Sequence, residues 1–391
     1  MQHLNFAPIR GEYSKYIHET RRAIKTPDNV LKPDGTCAFG TFETEFPKMD
    51  FLKINGPTSL PNAFNRLKLT LWEATEIHLE QGVLLAALCD MGFFSIMFHI
   101  FYDKRTHQTF CWDSRMSSKK ALIAPTLING DMAYAETPNG FIKYINTFNE
   151  GRAELSGCHK GKCLITVPNK EKTAVKAIPD NRGTGSLEYD LQLTRLSGPS
   201  IVSIPFSETR PRPLYSQKDF FQVSGKLTIN GEEILCDENT TAVIDDHRGY
   251  YPRRAHYDWV TTMGRYEING EKKYLAFNLT RNQSIDQEQY NENILWLEGA
   301  TSLLPPVTFT RTPETKDFRD YAECLVKDEY GMVNLKYKIY SLHPMITHAL
   351  LVNIDYYITF GELEGFVLDE AGNQYDLTGC VGIGEDKTLL F

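Results

Sequence analysis

Short runs of alternating apolar and polar residues, separated by turn dipeptides, constrain the fold of this chain more than any other feature. In the run Leu67–Leu71 every second residue is leucine, a period of two that is typical of a half-buried strand. Asn-Gly pairs, which favour tight hairpin turns, lie between such runs at Asn129-Gly130, Asn139-Gly140, Asn230-Gly231 and Asn269-Gly270. Because most of the sequence has no long amphipathic helix pattern, we predict an all-β protein of antiparallel barrels or sandwiches.

The length of the chain, 391 residues, exceeds what one hydrophobic core usually serves, so we expect two domains. Prolines and turn dipeptides interrupt the first sixty residues too often for long elements. The run Ser207–Ser216 holds Pro211 and Pro213 and shows no periodicity, which makes it the best candidate for a junction. We therefore predict an N-terminal arm at residues 1–60, a barrel domain at 61–210 and a second barrel domain at 211–391.

Composition argues against several classes of function. The net charge is −8, from 42 Lys and Arg against 50 Asp and Glu, and a nucleic-acid partner is not expected because phosphate binding needs a basic surface. The longest apolar stretch, Val83–Phe101, is interrupted by Asp90 and His99, so we predict no transmembrane segment. The N-terminus lacks the apolar core of a signal peptide, and we expect a cytoplasmic location. The sequence does not indicate an oligomeric state.

Common catalytic and cofactor motifs are missing from the sequence. There is no GxSxG, HExxH or GKS/T pattern. Gly183-Thr184-Gly185 begins like a dinucleotide fingerprint, but Glu188 stands where the third glycine is required. The residues between Cys158 and Cys163 include a histidine, yet no second ligand pair lies near, and a hairpin tip explains this run better than zinc. We predict no cofactor and no metal.

The run Thr241–Arg254 concentrates ionisable side chains beside apparent core. Residues Asp245–Arg248 directly follow the apolar residues Ala242–Ile244, so they would leave a strand on alternate faces. A carboxylate beside a histidine at the mouth of a barrel could bind a polar ligand or transfer a proton. The alternative is a buried salt-bridge corner that fixes a loop, since structural ion pairs use the same residue types.

Several phrases of the sequence resemble the DUF2804 family. They are Arg66-Leu67-Lys68 with Trp72, Leu88–Phe93, Val243–Pro252, Trp259, Phe277-Asn278-Leu279, Glu292-Asn293 with Trp296, Gly361–Gly365 and Gly379–Glu385. The resemblance covers Asn65 to the C-terminus. More distantly, the chain is similar to tandem lipocalin-like proteins, which include carotenoid 1,2-hydratases, tocopherol cyclases and fungal Diels–Alderases. That resemblance implies two calycin-type β-barrels that share an apolar cavity, where acidic, aromatic or hydrogen-bonding groups protonate or orient an unsaturated substrate.

The candidate site residues come from these phrases. We expect Asp245 to be the proton donor if aromatic rings surround its carboxyl group, with His247 as the alternative acid or base. The other candidate catalytic residues are Asp246 and Glu292. The candidate substrate-binding residues are Arg248, Tyr250, Trp259, Asn278, Trp296, Trp72 and Asp90. Each has a structural alternative: core packing for the tryptophans, a strand-end hydrogen bond for Asn278, and a turn position for Asp90.

Three functions fit the sequence. The first is a cofactor-independent acid–base enzyme, a hydratase, cyclase or isomerase, that acts on a small apolar or amphipathic molecule in a barrel cavity. The second is a non-catalytic protein that binds a lipid-like ligand. The third is a glycoside hydrolase with Asp245 and Glu292 as its paired carboxylates. A second ionisable group within hydrogen-bonding reach of Asp245 would favour an enzyme, whereas acids locked into arginine pairs would favour a carrier.

Overall fold

The computed structural model describes residues 21–166, 182–268, 270–312, 323–349 and 352–390. These residues form an all-β structure, as predicted. The strands are β1 (Ala23–Ile24), β2 (Gly40–Phe42), β3 (Thr70–His78), β4 (Gly82–Asp90), β5 (Phe94–Asp103), β6 (Thr109–Ser117), β7 (Ala121–Leu122), β8 (Asp131–Thr137), β9 (Gly140–Thr147), β10 (Arg152–Thr166), β11 (Arg182–Arg195), β12 (Ser200–Pro205), β13 (Pro213–Ile229), β14 (Glu232–Leu235), β15 (Thr241–Gly249), β16 (Arg254–Ile268), β17 (Glu271–Arg281), β18 (Ile294–Leu297), β19 (Ala300–Leu303), β20 (Val307–Thr312), β21 (Glu323–Asp328), β22 (Val333–Ala349), β23 (Val352–Leu368), β24 (Gln374–Asp376) and β25 (Val381–Leu390).

Short 3-10 turns interrupt the strands at Phe51–Lys53, Asn62–Leu67, Ser118–Lys120 and Phe148–Glu150. Within the described ranges, no helix has the length and apolar character needed to cross a membrane.

The first sheet contains a closed antiparallel ring of strands. Hydrogen-bonded neighbours follow the order β13, β15, β3, β4, β5, β6, β10, β11 and back to β13. Long strands close the ring because β10 and β13 each pair with different partners along their length. Eight strands make a barrel whose interior side chains can fill completely.

Strand β4 shows how the ring is packed on both faces. Leu84, Ala86 and Leu88 point into the ring, where they join a buried apolar cluster drawn from all eight strands. The alternate residues Val83 and Leu85 point outward into a different buried cluster. This double burial explains why the sequence of β4 is almost uninterruptedly apolar.

The second sheet covers one outer side of the ring. Its strand order is β19, β18, β17, β16, β25, β23, β22, β21, β20, with β24 paired to β23. The sheet curls, because β20 at one end comes close to β17. One face contributes residues such as Trp259 and Ile358 to the cluster shared with the ring. The other face carries Val260, Leu335 and their neighbours in a separate core.

The change from the first sheet to the second falls at residues 250–253. Strands β13 and β15, which lie beyond the predicted junction at residue 210, are both members of the closed ring. The proline-containing run around Pro211 therefore connects two neighbouring strands of one sheet, β12 and β13. The division into residues 1–60, 61–210 and 211–391 stays a prediction about independently folding units.

The turn predicted at Asn230-Gly231 is confirmed, whereas the predicted hairpin tip is not. Asn230 and Gly231 both have positive φ, 52° and 87°, and they join β13 to β14 as expected for a tight hairpin. Asn269 lies outside the described residues. The hairpin tip predicted at Cys158–Cys163 is wrong, because β10 runs straight through these residues and pairs with β11 along its length.

The N-terminal arm is tied to both sheets. Strand β2 pairs with β12 of the first sheet. Arg21 donates hydrogen bonds to the Asn291 side chain at 2.7 Å and to the Asn293 carbonyl at 2.8 Å, beside the second sheet. The arm therefore bridges the outer edges of the fold.

Candidate functional site

A cavity of about 100 Å³ lies between the outer face of the ring and the second sheet. The ring contributes Trp72, Cys89, Met91, Ile96 and Phe98 to its wall, and the second sheet contributes Tyr257, Trp259, Met345, Ile354 and Leu389. These side chains come from alternate positions of their strands, since residues i and i+2 share a face. The cavity is thus shared by the two sheets and does not lie inside the closed ring.

A charged cluster forms one part of the cavity wall. Lys218 Nζ lies 2.7 Å from Asp245 Oδ1 and 3.0 Å from Glu292 Oε2. The Nε2 atom of His247 lies 2.9 Å from the same ammonium group and 3.0 Å from Glu292 Oε2. Ser216 donates its hydroxyl proton to Glu292 at 2.8 Å. Two carboxylates, a lysine, a histidine and a serine therefore meet around one point.

Strand register assembles this cluster. In the β13–β15 ladder, Ser216 lies opposite His247 and Lys218 lies opposite Asp245. These four residues share one face because each pair is two residues apart on its own strand. Glu292 reaches the cluster from the segment before β18, where Asn282 donates a hydrogen bond to its other carboxylate oxygen at 2.8 Å.

The cluster favours the ionised forms of Glu292 and Lys218. Burial alone would raise the pKa of Glu292, but Lys218 and His247 hold that pKa well below its usual range. Burial alone would lower the pKa of Lys218, but Asp245 and Glu292 raise it. Lys218 and Glu292 are each only 1% exposed, so both charges need this pairing to remain in the interior.

Another acid, Glu385, faces the same cavity from the second sheet. Glu385, on β25, accepts a hydrogen bond from the hydroxyl group of Tyr356, on β23. Burial raises the pKa of Glu385, Asp245 raises it further, and Lys387 and the Tyr356 hydrogen bond offset part of this rise. The Lys387 ammonium group lies 4.9 Å from the ring centre of Trp72 and 4.4 Å from that of Tyr356.

Burial raises the pKa of two carboxyl groups around the cavity, Glu76 and Glu385. Burial, together with Asp245 and Glu385, raises the pKa of Glu76 well above its ordinary value. Four carboxyl groups lie around the cavity, together with Lys218, Lys387 and Arg115. Burial therefore disfavours the charged forms of Glu76 and Glu385, since an unpaired buried carboxylate costs more free energy than a neutral carboxyl group.

The structure brings five of the predicted site residues to this cavity. Asp245, His247, Trp72 and Trp259 line it, and Glu292 joins the charged cluster beside Lys218. The other predicted residues do not line it. They are Asp246, Arg248, Tyr250, Asn278, Trp296 and Asp90.

Asp246 and Arg248 point into the ring, because they alternate with Asp245 and His247 along β15. Arg248 donates two hydrogen bonds to Asp246, at 2.7 and 3.0 Å, and a third to the Pro125 carbonyl at 2.8 Å. Glu73 lies beside this pair, and burial followed by the charge of Asp246 raises its pKa to about 8. Asp246 and Arg248 therefore form the buried salt-bridge corner, while Asp245 and His247 face the cavity.

The remaining predicted residues are held by hydrogen bonds elsewhere in the structure. The Tyr250 hydroxyl donates to the Phe51 carbonyl at 2.8 Å, and the Trp296 indole donates to the Gly198 carbonyl at 3.1 Å. Asn278 accepts a hydrogen bond from the Trp259 indole at 2.6 Å and donates to the Glu292 carbonyl at 2.9 Å. Asn278 thereby orients two residues of the site.

Asp90 ends β4 in a turn. It forms an ion pair with Arg66, and its other carboxylate oxygen accepts a hydrogen bond from the Gly92 amide at 2.9 Å. These contacts match the turn position that was the alternative explanation for this acid.

Sequence reasoning missed Lys218 and did not place Glu385 among the candidate site residues. Lys218 falls in the run Pro213–Ile229, where Gln217, Lys218 and Asp219 interrupt apolar residues inside what proves to be one long, buried strand. This polar interruption of an apolar strand is the sequence feature that could have identified Lys218. Glu385, with Lys387 two residues later, follows the same pattern on β25.

One group of side chains in the described part of the chain has the composition of a metal site. His256, Asp258 and Asp386 place potential ligand atoms within 4.8 Å of one another. Arg311 forms ion pairs with both aspartates. A divalent cation would have to displace this guanidinium group, so these residues fit an ion-pair network better than a metal centre.

Comparisons with known proteins give one family match and two weak structural similarities. The model of the family described as a domain of unknown function, DUF2804, matches residues 21–391. The crystal structure of CghA is 9% identical, covers 83% of this chain and 88% of its own, and has a TM-score of 0.37. The crystal structure of CghA with Sch210972 is 10% identical, covers 93% and 97%, and has a TM-score of 0.39. No curated protein matches the sequence significantly.

Proposed function

The chain belongs to the DUF2804 family, and we propose that it is a cofactor-independent acid–base enzyme acting on a small, largely apolar molecule in the cavity between the sheets. One observation carries this proposal: the ion-pair cluster around Lys218 and the buried acid Glu385, whose pKa is raised by burial, line a single apolar cavity from its two sides. Enzymes that move protons at neutral pH place an acid of raised pKa beside fixed charges in this way.

Glu385 is the group best placed to donate a proton. Burial raises its pKa, which favours the protonated form, and a hydrogen bond from the Tyr356 hydroxyl group fixes its orientation. Proton transfer to an unsaturated carbon or to a carbonyl oxygen would leave the Glu385 carboxylate. That carboxylate recovers a proton from water in a hydration, or from another carbon of the substrate in an isomerisation or cyclisation. The cycle balances without a redox partner.

In this proposal the proton donor is Glu385, not Asp245 as first expected. Asp245 accepts a hydrogen bond from the Lys218 ammonium group at 2.7 Å, which is the geometry of an ionised carboxylate. Asp245 and Glu292 would instead stabilise positive charge that develops on the substrate after protonation. Electrostatic stabilisation of this kind is usually the largest contribution to catalysis.

A non-catalytic ligand-binding protein is the second candidate. The observation that favours it is the wall of Trp72, Phe98 and Ile354, which could hold an apolar ligand without chemistry. No observation favours a glycoside hydrolase. Lys218 lies between Asp245 and Glu292, at 2.7 and 3.0 Å, and occupies the space that a sugar or a water molecule would need.

The decisive experiment compares wild-type protein with Glu385→Gln in a small-molecule extract of the source cells. Mass spectrometry follows which compounds are consumed and which isomers or hydrates form. The proposal expects conversion by the wild type and a loss of roughly 10²-fold or more in Glu385→Gln, the usual size of a general-acid contribution. Glu364→Gln, at a half-exposed position of β23, is the matched control. A compound that binds both proteins unchanged would instead identify a carrier.

A further inference from the structure

Two cations line the cavity without a carboxylate partner. Lys387 lies between the rings of Trp72 and Tyr356, and Arg115 donates a hydrogen bond to the Thr347 hydroxyl at 2.9 Å. Among the described residues, no carboxylate lies within ion-pairing distance of either cation. Lys218 differs from both, because two carboxylates already neutralise it.

The acids of the cavity are not available to neutralise these cations. Asp245 and Glu292 bind Lys218, and Glu385 accepts a hydrogen bond from the Tyr356 hydroxyl group and forms no ion pair with Lys387. The aromatic rings around Lys387 attract the ammonium group but accept no conventional hydrogen bond from it. Its N–H donors therefore remain free to bind an oxygen anion that enters the cavity.

The position of Arg115 defines which end of the cavity is polar. Arg115 is exposed, and it bridges β6 of the first sheet to Thr347 on β22 of the second. Apolar side chains, including Ile96 and Met345, occupy the wall nearby. A molecule that matches this lining has an apolar body and an anionic group.

We propose that the ligand of the cavity is an amphipathic organic acid, whose carboxylate or enolate oxygen binds Lys387 with Arg115 at the entrance, while its apolar body lies between the sheets. The inference rests on the proposed function and narrows its substrate class. Glu385 and Lys387 are two residues apart on one face of β25, or roughly 7 Å along the strand. The site of protonation would therefore lie close to the acidic group, as in an α,β-unsaturated acid or an enol.

The test uses N-phenyl-1-naphthylamine, an uncharged fluorescent probe of apolar cavities. Octanoate and methyl octanoate, which differ only in charge at one end, compete for the bound probe. A charge-assisted hydrogen bond corresponds to roughly a tenfold gain in affinity or more, so octanoate should displace the probe at about one tenth of the ester concentration. The proteins compared are the wild type, Lys387→Met, Arg115→Met, Arg115→Lys and the surface control Lys338→Met.

The expected pattern is specific to charge. Lys387→Met and Arg115→Met should still bind the uncharged probe but lose the preference for octanoate. Arg115→Lys and Lys338→Met should keep that preference. Equal displacement of the probe by octanoate and its ester in the wild type would overturn the inference. A probe that fails to bind at all would overturn the ligand cavity and both proposals with it. Intact acid selectivity without any conversion in the extract assay would refute only the enzymatic role.

Discussion

The Nζ atom of Lys218 lies 2.7 Å from Oδ1 of Asp245, and the two residues are directly opposite each other in the β13–β15 ladder. The pairing brings a lysine that is 1% exposed into a cluster that also holds Glu292 and His247. A buried cation at this position has a cost in desolvation, which only its two carboxylate partners offset. The same pairing fixes negative charge at the wall of an otherwise apolar cavity.

Replacement of Lys218 by Met should destabilise the protein strongly. Asp245 and Glu292 would stay buried without a cation, and loss of one partner from such a group usually costs about 3–5 kcal/mol. In the wild type, the lowered pKa of Glu292 stabilises the fold above its unfolded pKa, and this stabilisation is lost as pH falls through the folded value. The loss in Lys218→Met should therefore be largest at neutral pH and smaller in acid. Urea unfolding at neutral and at acidic pH measures this loss of stability, with Lys338→Met as the control. An equal loss at the two pH values would contradict the pairing of Lys218 with ionised Glu292.

Replacement of Arg248 by Met should reduce stability without affecting the cavity. Arg248 neutralises the fully buried Asp246 inside the ring, and the unpaired carboxylate should cost about 3–5 kcal/mol. Binding of N-phenyl-1-naphthylamine should not change, because neither residue lines the cavity. Thermal unfolding and probe titration of Arg248→Met, beside the exposed control Arg152→Met, separate the two effects. Weakened probe binding by folded Arg248→Met would show that Arg248 contributes to the functional site.

Replacement of Glu73 by Gln should stabilise the protein at high pH. Burial and Asp246 raise the pKa of Glu73 from 4.5 to about 8, so wild-type stability falls as pH rises through this window. Glutamine keeps the oxygen that accepts a hydrogen bond from Asn146 at 2.6 Å and carries no charge. The gain should be small near pH 4.5 and exceed about 1.4 kcal/mol, one pKa unit, by pH 8. Unfolding curves against pH test this, with the exposed Glu154→Gln as control; a gain independent of pH would be inconsistent with a raised pKa.

Replacement of Tyr356 by Phe should extend activity to higher pH. The Tyr356 hydroxyl group lowers the pKa of Glu385 by its hydrogen bond, so its removal should raise that pKa further. A general acid works only while it is protonated, and its activity is lost as pH rises through its pKa. The upper limit of conversion in the extract assay should therefore move to higher pH in Tyr356→Phe. An unchanged or lower limit would exclude Glu385 as the acid.

Much of the fold was predictable from local pattern, whereas the site depended on register. The period of two around Leu69 and the Asn230-Gly231 turn indicate strands and hairpins, because both depend on neighbouring residues. Asp245 and His247 were predictable as site residues because they adjoin an apolar strand. Which alternate residues face the cavity was not, since a shift of one position exchanges Asp245 for Asp246.

The partners of Asp245 could not be predicted from sequence spacing. Lys218 is 27 residues away and reaches Asp245 only through the β13–β15 ladder. Glu385 is still further along the chain, and it meets the site because the second sheet packs on the outside of the ring. The closed ring also explains why the sheets change after Gly249, since β13 and β15 complete it. Pro211 and Pro213 mark a connection and reveal nothing about ring closure.

The pKa of Glu385 tests most directly whether this residue can be the proton donor. Selective ¹³C labelling of glutamate carboxyl groups, with Glu385→Gln to assign the signal, gives its pKa by NMR titration of the folded protein. We predict that the pKa of the Glu385 carboxyl lies above the ordinary value of 4.5 and is higher still in Tyr356→Phe. Titration at or below 4.5 would show a carboxylate already ionised at neutral pH, and Glu385 could not then be the proton donor.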